Sequence, residues 1–250
     1  MHQTHNLQQR MRLFISIFLP ILIYQLANFS ASFVDTTMTG QYDTLHLAGV
    51  SMATSLWIPF FDLLIGIVSA LVPIIGHHLG QGKKEKIASD FYQFIYLSLG
   101  LSLILFALVF VGAPLVLAHL GLEPLVEEVA NNYLWYLALG IIPLLLFSTI
   151  RSLFDALGLT KLSMYLMLLL LPLNGTFNYA LIYGAFGFPE MGGAGAGLGT
   201  SLAYWVLLLI SLLVAVKHPK IRVYELWKIR PLDKKGLIEG IRLGLPIGGT

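Results

Sequence analysis

Long uninterrupted apolar runs are the feature that most restricts how this 250-residue chain can fold. A helix needs about 20 mainly apolar residues to cross the roughly 30 Å hydrocarbon core of a bilayer. Only 11% of the residues are charged, whereas soluble domains carry about 25%. The sequence therefore predicts an all-α membrane protein, a bundle of six transmembrane helices over residues 13–34, 47–76, 91–120, 133–154, 162–186 and 194–216.

The distribution of positive charge predicts how this bundle is oriented. Of the 15 basic residues, 14 lie before the first run, in every second connection, or after the sixth run, and Arg151 lies near the end of the fourth run, beside one of those connections. The other three connections hold acidic residues instead. Because cytoplasmic loops are enriched in Lys and Arg, this alternation predicts a multi-pass protein of the plasma (inner) membrane with a cytoplasmic N-terminus. A cleaved signal peptide is the alternative for the first run, but the run is long for that purpose.

The chain divides into four predicted segments. Residues 1–12 form a cytoplasmic N-terminal segment, 13–216 the six-helix lobe, 217–235 a basic cytoplasmic linker along the anionic leaflet, and 236–250 the start of a seventh helix. The sequence FLPI at 18–21 is echoed by GLPI at 244–247. Since six spans return the chain to its starting side, the echo favours a parallel repeat, as in some secondary transporters. We interpret the chain as a piece of a longer protein that lacks its second lobe.

Several polar residues lie at membrane depth. At 1.5 Å per residue, Asp35, Asn178 and Thr200 fall in the outer half of the membrane and Asn174 near its middle. Ionisable groups inside hydrocarbon are costly and by default mark an ion path or a site. A carboxylate with amide and hydroxyl oxygens nearby predicts a site for H⁺ or Na⁺. The alternatives are an interfacial position for the carboxylate and plain interhelical hydrogen bonding for the two amides.

Other features within the spans have less specific interpretations. Asp62 falls in the inner half of the membrane. It is interpreted as a second relay point, as a partner for a polar group on a neighbouring span, or as a residue at the membrane boundary. Pro20 kinks the first span, either as a hinge or as a static bend. Overlapping G-x-x-x-G spacings at the start of the sixth span predict a close helix contact, formed by Gly193, Gly195, Gly197 and Gly199.

Enzymatic functions fit the sequence poorly. The chain has no Cys, and all seven His residues lie in a tail or at the end of a span. No nucleic-acid motif, ATP motif or metal-ligand spacing appears, so we expect no cofactor and no metal beyond a possible Na⁺. Uphill transport by such a chain would draw on an ion gradient or on a separate subunit.

Several separated motifs resemble the multidrug and toxic compound extrusion (MATE) family, in particular its NorM-type branch. FVDTTMTG at residues 33–40 and LAGVS at 47–51 resemble the first two helices of that family. The resemblance continues through ALVP at 70–73, GQGK at 80–83, and the region from 173 to 195 that includes GFPE. It covers nearly the whole chain, with the motifs in the family's order.

The resemblance implies the N-terminal lobe of a twelve-helix antiporter, which exchanges H⁺ or Na⁺ for small organic, often cationic, compounds by alternating access. It implies that Asp35, Asn174, Asn178 and Thr200 form the coupling site, and that Pro20 is the bend of the first helix. Its partners would be those compounds, the lipid bilayer and the missing C-terminal lobe. The alternatives are a flippase for lipid-linked precursors, which would need more basic residues in its cavity, and a receptor or structural membrane protein that transports nothing.

Overall fold

The computed structural model describes residues 2–226, 228 and 231, and within them the chain folds into nine α-helices. The predicted start of a seventh span, 236–250, lies outside the described residues. The helices are α1 His2–Tyr42, α2 Thr44–Ser69, α3 Leu71–Gly80, α4 Lys84–Ala118, α5 Pro124–Ala138, α6 Ile141–Ala156, α7 Thr160–Tyr183, α8 Gly193–Lys217 and α9 Pro219–Arg222.

The all-α membrane fold is confirmed. Five helices or helix pairs of the described chain are each long and apolar enough to cross a membrane, and α5 with α6 makes a sixth if that bent pair is one span. The second span runs over α2 and α3, Thr44–Gly80. The predicted N-terminal segment is not separate in structure, because α1 begins at His2 and continues through Pro20 to Tyr42.

The fourth span differs from its prediction as one helix over 133–154. The helix begins at Pro124, inside the predicted connection, because Val126, Val129 and Ala130 are buried. It then breaks before Ile141, with a bend of 47°. Pro143 has no N–H to donate to the carbonyl four residues earlier. That carbonyl, of Leu139, accepts a hydrogen bond from Trp205 Nε1 instead, at 3.1 Å.

The glycine-rich start of α8 lies at the centre of the packing. A Cβ at Gly195 would lie 2.7 Å from the carbonyl oxygen of Leu181 on α7, and a Cβ at Gly197 would lie 2.5 Å from the carbonyl oxygen of Tyr133 on α5. The close helix contact predicted from the G-x-x-x-G spacing is therefore present. It brings α7 and α5 against α8 at the level of Thr200.

The segment after α8 turns back onto the bundle. The side chains of Ile221 and Leu226 are buried in the hydrophobic cluster that also contains Phe91 and Phe94 of α4. Tyr92 donates a hydrogen bond to the carbonyl oxygen of Leu226, and Gln93 Nε2 donates to that of Pro231 at 2.9 Å. The first part of the predicted linker is thus packed against protein.

Candidate functional site

Three helices bring four polar residues together around one carboxylate. Asp35 of α1 is buried, with 8% of its surface exposed. Asn174 Nδ2 donates to Asp35 Oδ1 at 2.9 Å, and Asn178 Nδ2 donates to the same oxygen. Thr200 Oγ1 lies 3.0 Å from Asp35 Oδ2. The other three residues selected from the sequence by depth are therefore all within hydrogen-bond distance of Asp35.

Local sequence explains how each side chain reaches this point. Asn174 and Asn178 are four residues apart on α7, so both project from one face towards α1. Gly199 leaves room for the second amide, because a Cβ there would collide with the side chain and backbone of Asn178. Thr39 Oγ1 donates back to the carbonyl oxygen of Asp35 at 2.8 Å, which fixes the neighbouring turn of α1.

The hydrogen bonds are those that suit an ionised Asp35. Both of its oxygens accept, and all of the donors are neutral groups. Thr200 Oγ1 also lies 3.1 Å from Asn174 Oδ1. A hydroxyl has one proton, so Thr200 can donate to the carboxylate or to the amide oxygen but not fully to both.

One acceptor in the site has no partner. The side-chain oxygen Oδ1 of Asn178 is buried without a hydrogen bond from the described part of the chain. A buried polar atom left unpaired costs about 1–3 kcal/mol. Rotating the amide by a half-turn would direct this oxygen towards Asp35, where it could accept a proton or coordinate a cation.

A cavity of about 460 Å³ adjoins Asp35. This is within the typical range of sites for small organic molecules, roughly 300–1,000 Å³. Its walls carry two carboxylates and, among the described residues, neither Lys nor Arg; the aromatic and acidic lining includes Asp35, Trp57, Phe61, Asp62, Tyr133 and Tyr204. The cavity therefore combines negative charge with aromatic faces, which favours organic cations.

Two of the predicted residues lie away from the hydrogen-bonded group. Asp62 belongs to α2 and shares the cavity with Asp35, although no hydrogen bond joins them in the described structure. Pro20 is buried within the unbroken α1, 15 residues before Asp35. These positions test neither the relay role predicted for Asp62 nor the hinge role predicted for Pro20.

The aromatic lining was not predicted from the sequence. Trp57, Tyr133 and Tyr204 face the cavity because of how α2, α5 and α8 are rotated in the bundle. Their spans are apolar on all sides, so hydrophobic periodicity gives no signal about which face points inward. The buried indole N–H of Trp57 has no hydrogen-bond partner in the described residues.

Comparisons with known proteins give the relatives of this chain. A family model named MatE matches residues 20–180. A probable multidrug resistance protein NorM from Streptococcus pneumoniae serotype 4 is 69% identical over 250 residues, which is 100% of this chain and 55% of that protein. One from Halalkalibacterium halodurans is 40% identical over 254 residues, again 100% of this chain and 55% of the relative.

The fold has solved counterparts. The crystal structure of a eukaryotic MATE transporter matches with a TM-score of 0.81 at 17% identity, over 96% of this chain and 53% of that one. The chain thus spans about half the length of the relatives it matches, and it corresponds to the N-terminal half of the NorM proteins. The match of the family model over most of the sequence, together with these relatives, shows that the chain belongs to the MatE family.

Proposed function

We propose that this chain is the N-terminal lobe of a secondary transporter that exports small organic compounds in exchange for H⁺ or Na⁺. The observation that carries the proposal is the buried Asp35, held by three neutral donors and open to a cavity of about 460 Å³. The NorM relatives are named as probable multidrug resistance proteins. Export by the whole protein requires the C-terminal lobe as a partner.

The coupling step follows from the cost of burying charge. A buried carboxylate is stabilised by its hydrogen bonds, and a proton or a sodium ion neutralises it. Once it is neutral, Asp35 no longer needs three donors, and the amides can turn their oxygens towards the new proton or ion. The contacts between α1 and α7 therefore differ in the two charge states, which is the differential interaction that a conformational switch requires.

Alternating access follows if the helices move with this change. In the loaded state, the weaker hold of α7 on α1 would allow α1 to shift, and Pro20 is where its backbone can bend most easily, because it lacks a hydrogen-bonding N–H. The drug would leave outward as the cation binds. Release of the cation would restore the drug-accepting state.

The proposed orientation is an inner-membrane protein with a cytoplasmic N-terminus. It is supported by Lys83 before α4, by Lys84 and Lys86 in the first turn of α4, and by the basic residues after α8. Glu123, Glu127 and Glu128 lie at the opposite end of the bundle, where α5 begins. Basic residues at the cytoplasmic ends are the expected pattern.

The acidic cavity weighs against transport of lipid-linked phosphates. Phosphate recognition typically uses Arg and Lys, whereas Asp35 and Asp62 would repel a phosphate group from this cavity. A purely structural role does not explain why a buried carboxylate lies beside a cavity of this size.

The test is gradient-driven efflux by the full-length protein in proteoliposomes. A fluorescent organic cation is loaded, and a Na⁺ gradient or a pH gradient is imposed separately. We expect one gradient to drive efflux in the parent protein and Asp35→Asn to abolish it, because asparagine cannot change charge. Glu128→Gln, which removes an exposed carboxylate at the start of α5, is the matched control and should transport normally. Efflux by Asp35→Asn at the parent rate would refute the proposal.

A further inference from the structure

Two cavities of the lobe meet at a common wall. The larger adjoins Asp35, and the second has a volume of about 270 Å³. Five residues line both cavities, and they come from α1, α2, α6 and α8: Gln25, Asp62, Ile65, Leu144 and Tyr204. Only Asp62 among the five is charged. A carboxylate therefore lies on the boundary between the two cavities.

The second cavity is polar. Beyond the shared wall it is lined by Ser69, Ser148 and Arg151, with Met167 and Phe147. Arg151 lies five residues before the end of α6 at Ala156, so the sequence position places it above the cytoplasmic end of that helix in the proposed orientation. A space of this polarity and size can admit water, since each water needs only two to four polar partners.

Asp62 has surroundings that a carboxylate with a purely structural role would lack. It belongs to α2, is exposed within the lobe, and has water-sized space on both sides. A carboxylate can accept a proton from one water and return it to another, or bind a sodium ion briefly through its oxygens.

We propose that Asp62 is a second station for the coupling cation, on a water-filled route from Asp35 through the second cavity to the cytoplasm. The proposal rests on the function proposed above. For H⁺, the proton passes from the Asp35 carboxyl to water, from water to the Asp62 carboxylate, and from there to water in the second cavity. For Na⁺, the ion exchanges the oxygens of Asp35 for those of water and Asp62, and no covalent bond changes.

Water access is the first test. In a cysteine-free form of the full-length protein, Ser69→Cys and Ser148→Cys are exposed in inside-out vesicles to a membrane-impermeant cationic thiosulfonate. Both should react, because both residues line the second cavity. The matched control is Ser102→Cys, a fully buried serine of α4 that lines neither cavity. Reaction of the two cavity cysteines no faster than that of the control would overturn the route.

The second test removes the charge of Asp62 and measures drug binding and efflux separately. With Asp62→Asn, gradient-driven efflux should fall by about tenfold or more, because the station is lost. Asp62 also lines the drug cavity, so equilibrium binding of the organic cation without a gradient should weaken as well, but by a much smaller factor than efflux. Asp62→Glu should restore efflux. Glu85→Gln, an exposed carboxylate in the first turn of α4, should match the parent protein.

The outcomes distinguish the proposed cation route through Asp62 from the proposed coupling function of Asp35. If Asp35→Asn abolishes efflux and Asp62→Asn does not reduce it, the route is wrong and the coupling function stands. If Asp62→Asn weakens drug binding by the same factor as efflux, Asp62 is a contact for the drug and the route is also wrong. If Asp35→Asn leaves efflux intact, the coupling function itself is wrong.

Discussion

At the scale of single residues, the nature of the donors around Asp35 is what makes a switch possible. An Arg or Lys partner would hold the carboxylate in its charged form, since breaking a buried ion pair costs about 3–5 kcal/mol. Asn174, Asn178 and Thr200 are neutral and can each reverse between donating and accepting. The charged and neutral forms of Asp35 can therefore both be accommodated.

Thr200→Val distinguishes the two coupling ions. Thr200 Oγ1 donates to Asp35 Oδ2, so its loss destabilises the charged carboxylate, by an amount on the order of 1.4 kcal/mol, or tenfold in affinity. If the ion is H⁺, the less stable carboxylate binds a proton more tightly, so the proton concentration that gives half-maximal transport should fall by about tenfold. If it is Na⁺, an oxygen ligand is lost and the half-saturating Na⁺ concentration should rise.

Both quantities can be read from efflux rates over a series of pH values and Na⁺ concentrations. Thr200→Ser keeps the hydroxyl and is the matched control, which should follow the parent curve. A Thr200→Val protein whose dependence on both ions equals that of the parent would mean that this hydroxyl does not act on Asp35.

At the scale of helices, the glycines of α8 set the distances on which the site depends. Gly197→Ala would place a Cβ 2.5 Å from the carbonyl oxygen of Tyr133, and neither backbone can yield easily. We expect a loss of stability of about 1–3 kcal/mol, as for other overpacked sites, and reduced drug binding, because Tyr133 lines the cavity.

The measurement is the thermal unfolding midpoint in detergent, together with equilibrium drug binding. Gly100→Ala on α4 is the control, since nothing lies within 4 Å of its added Cβ. It should be neutral or stabilising by up to about 1 kcal/mol, as alanine favours helix. Equal midpoints for the two variants would contradict the packing argument.

The sequence predicted the helices better than their orientations. Depth arithmetic selected Asp35, Asn174 and Thr200, because polar residues inside apolar runs stand out and helix rise is constant. It missed the cavity faces of Trp57 and Tyr204, because rotation about a helix axis is decided by packing against neighbours. The break between α5 and α6 was missed for a similar reason: its free carbonyl at Leu139 is satisfied by a side chain 66 residues away.

At the scale of the whole molecule, the segment after α8 is attached to the helix bundle. Its packing against α4, through Ile221 and Leu226, makes it a continuation of the lobe. The exposed ion pair of Glu225 with Lys228, at 2.8 Å, adds little to this, since surface pairs contribute about 0–1 kcal/mol. The buried apolar side chains and the hydrogen bond from Tyr92 therefore hold the segment.

Limited proteolysis tests that attachment and the orientation together. Tyr92→Phe removes the donor to the carbonyl oxygen of Leu226, which should cost about 1 kcal/mol and raise the population of the detached segment about fivefold. Trypsin added to inside-out vesicles should then cleave after Lys228 about five times faster than in the parent protein, if opening precedes cleavage. Tyr165→Phe, at a tyrosine with 61% of its surface exposed, should leave the rate unchanged. Trypsin added outside intact cells should cut neither protein in this segment, because the segment is cytoplasmic in the proposed orientation. Cleavage from outside would show that the topology is the reverse of the proposed one. The direction of transport inferred from the site would then be reversed as well.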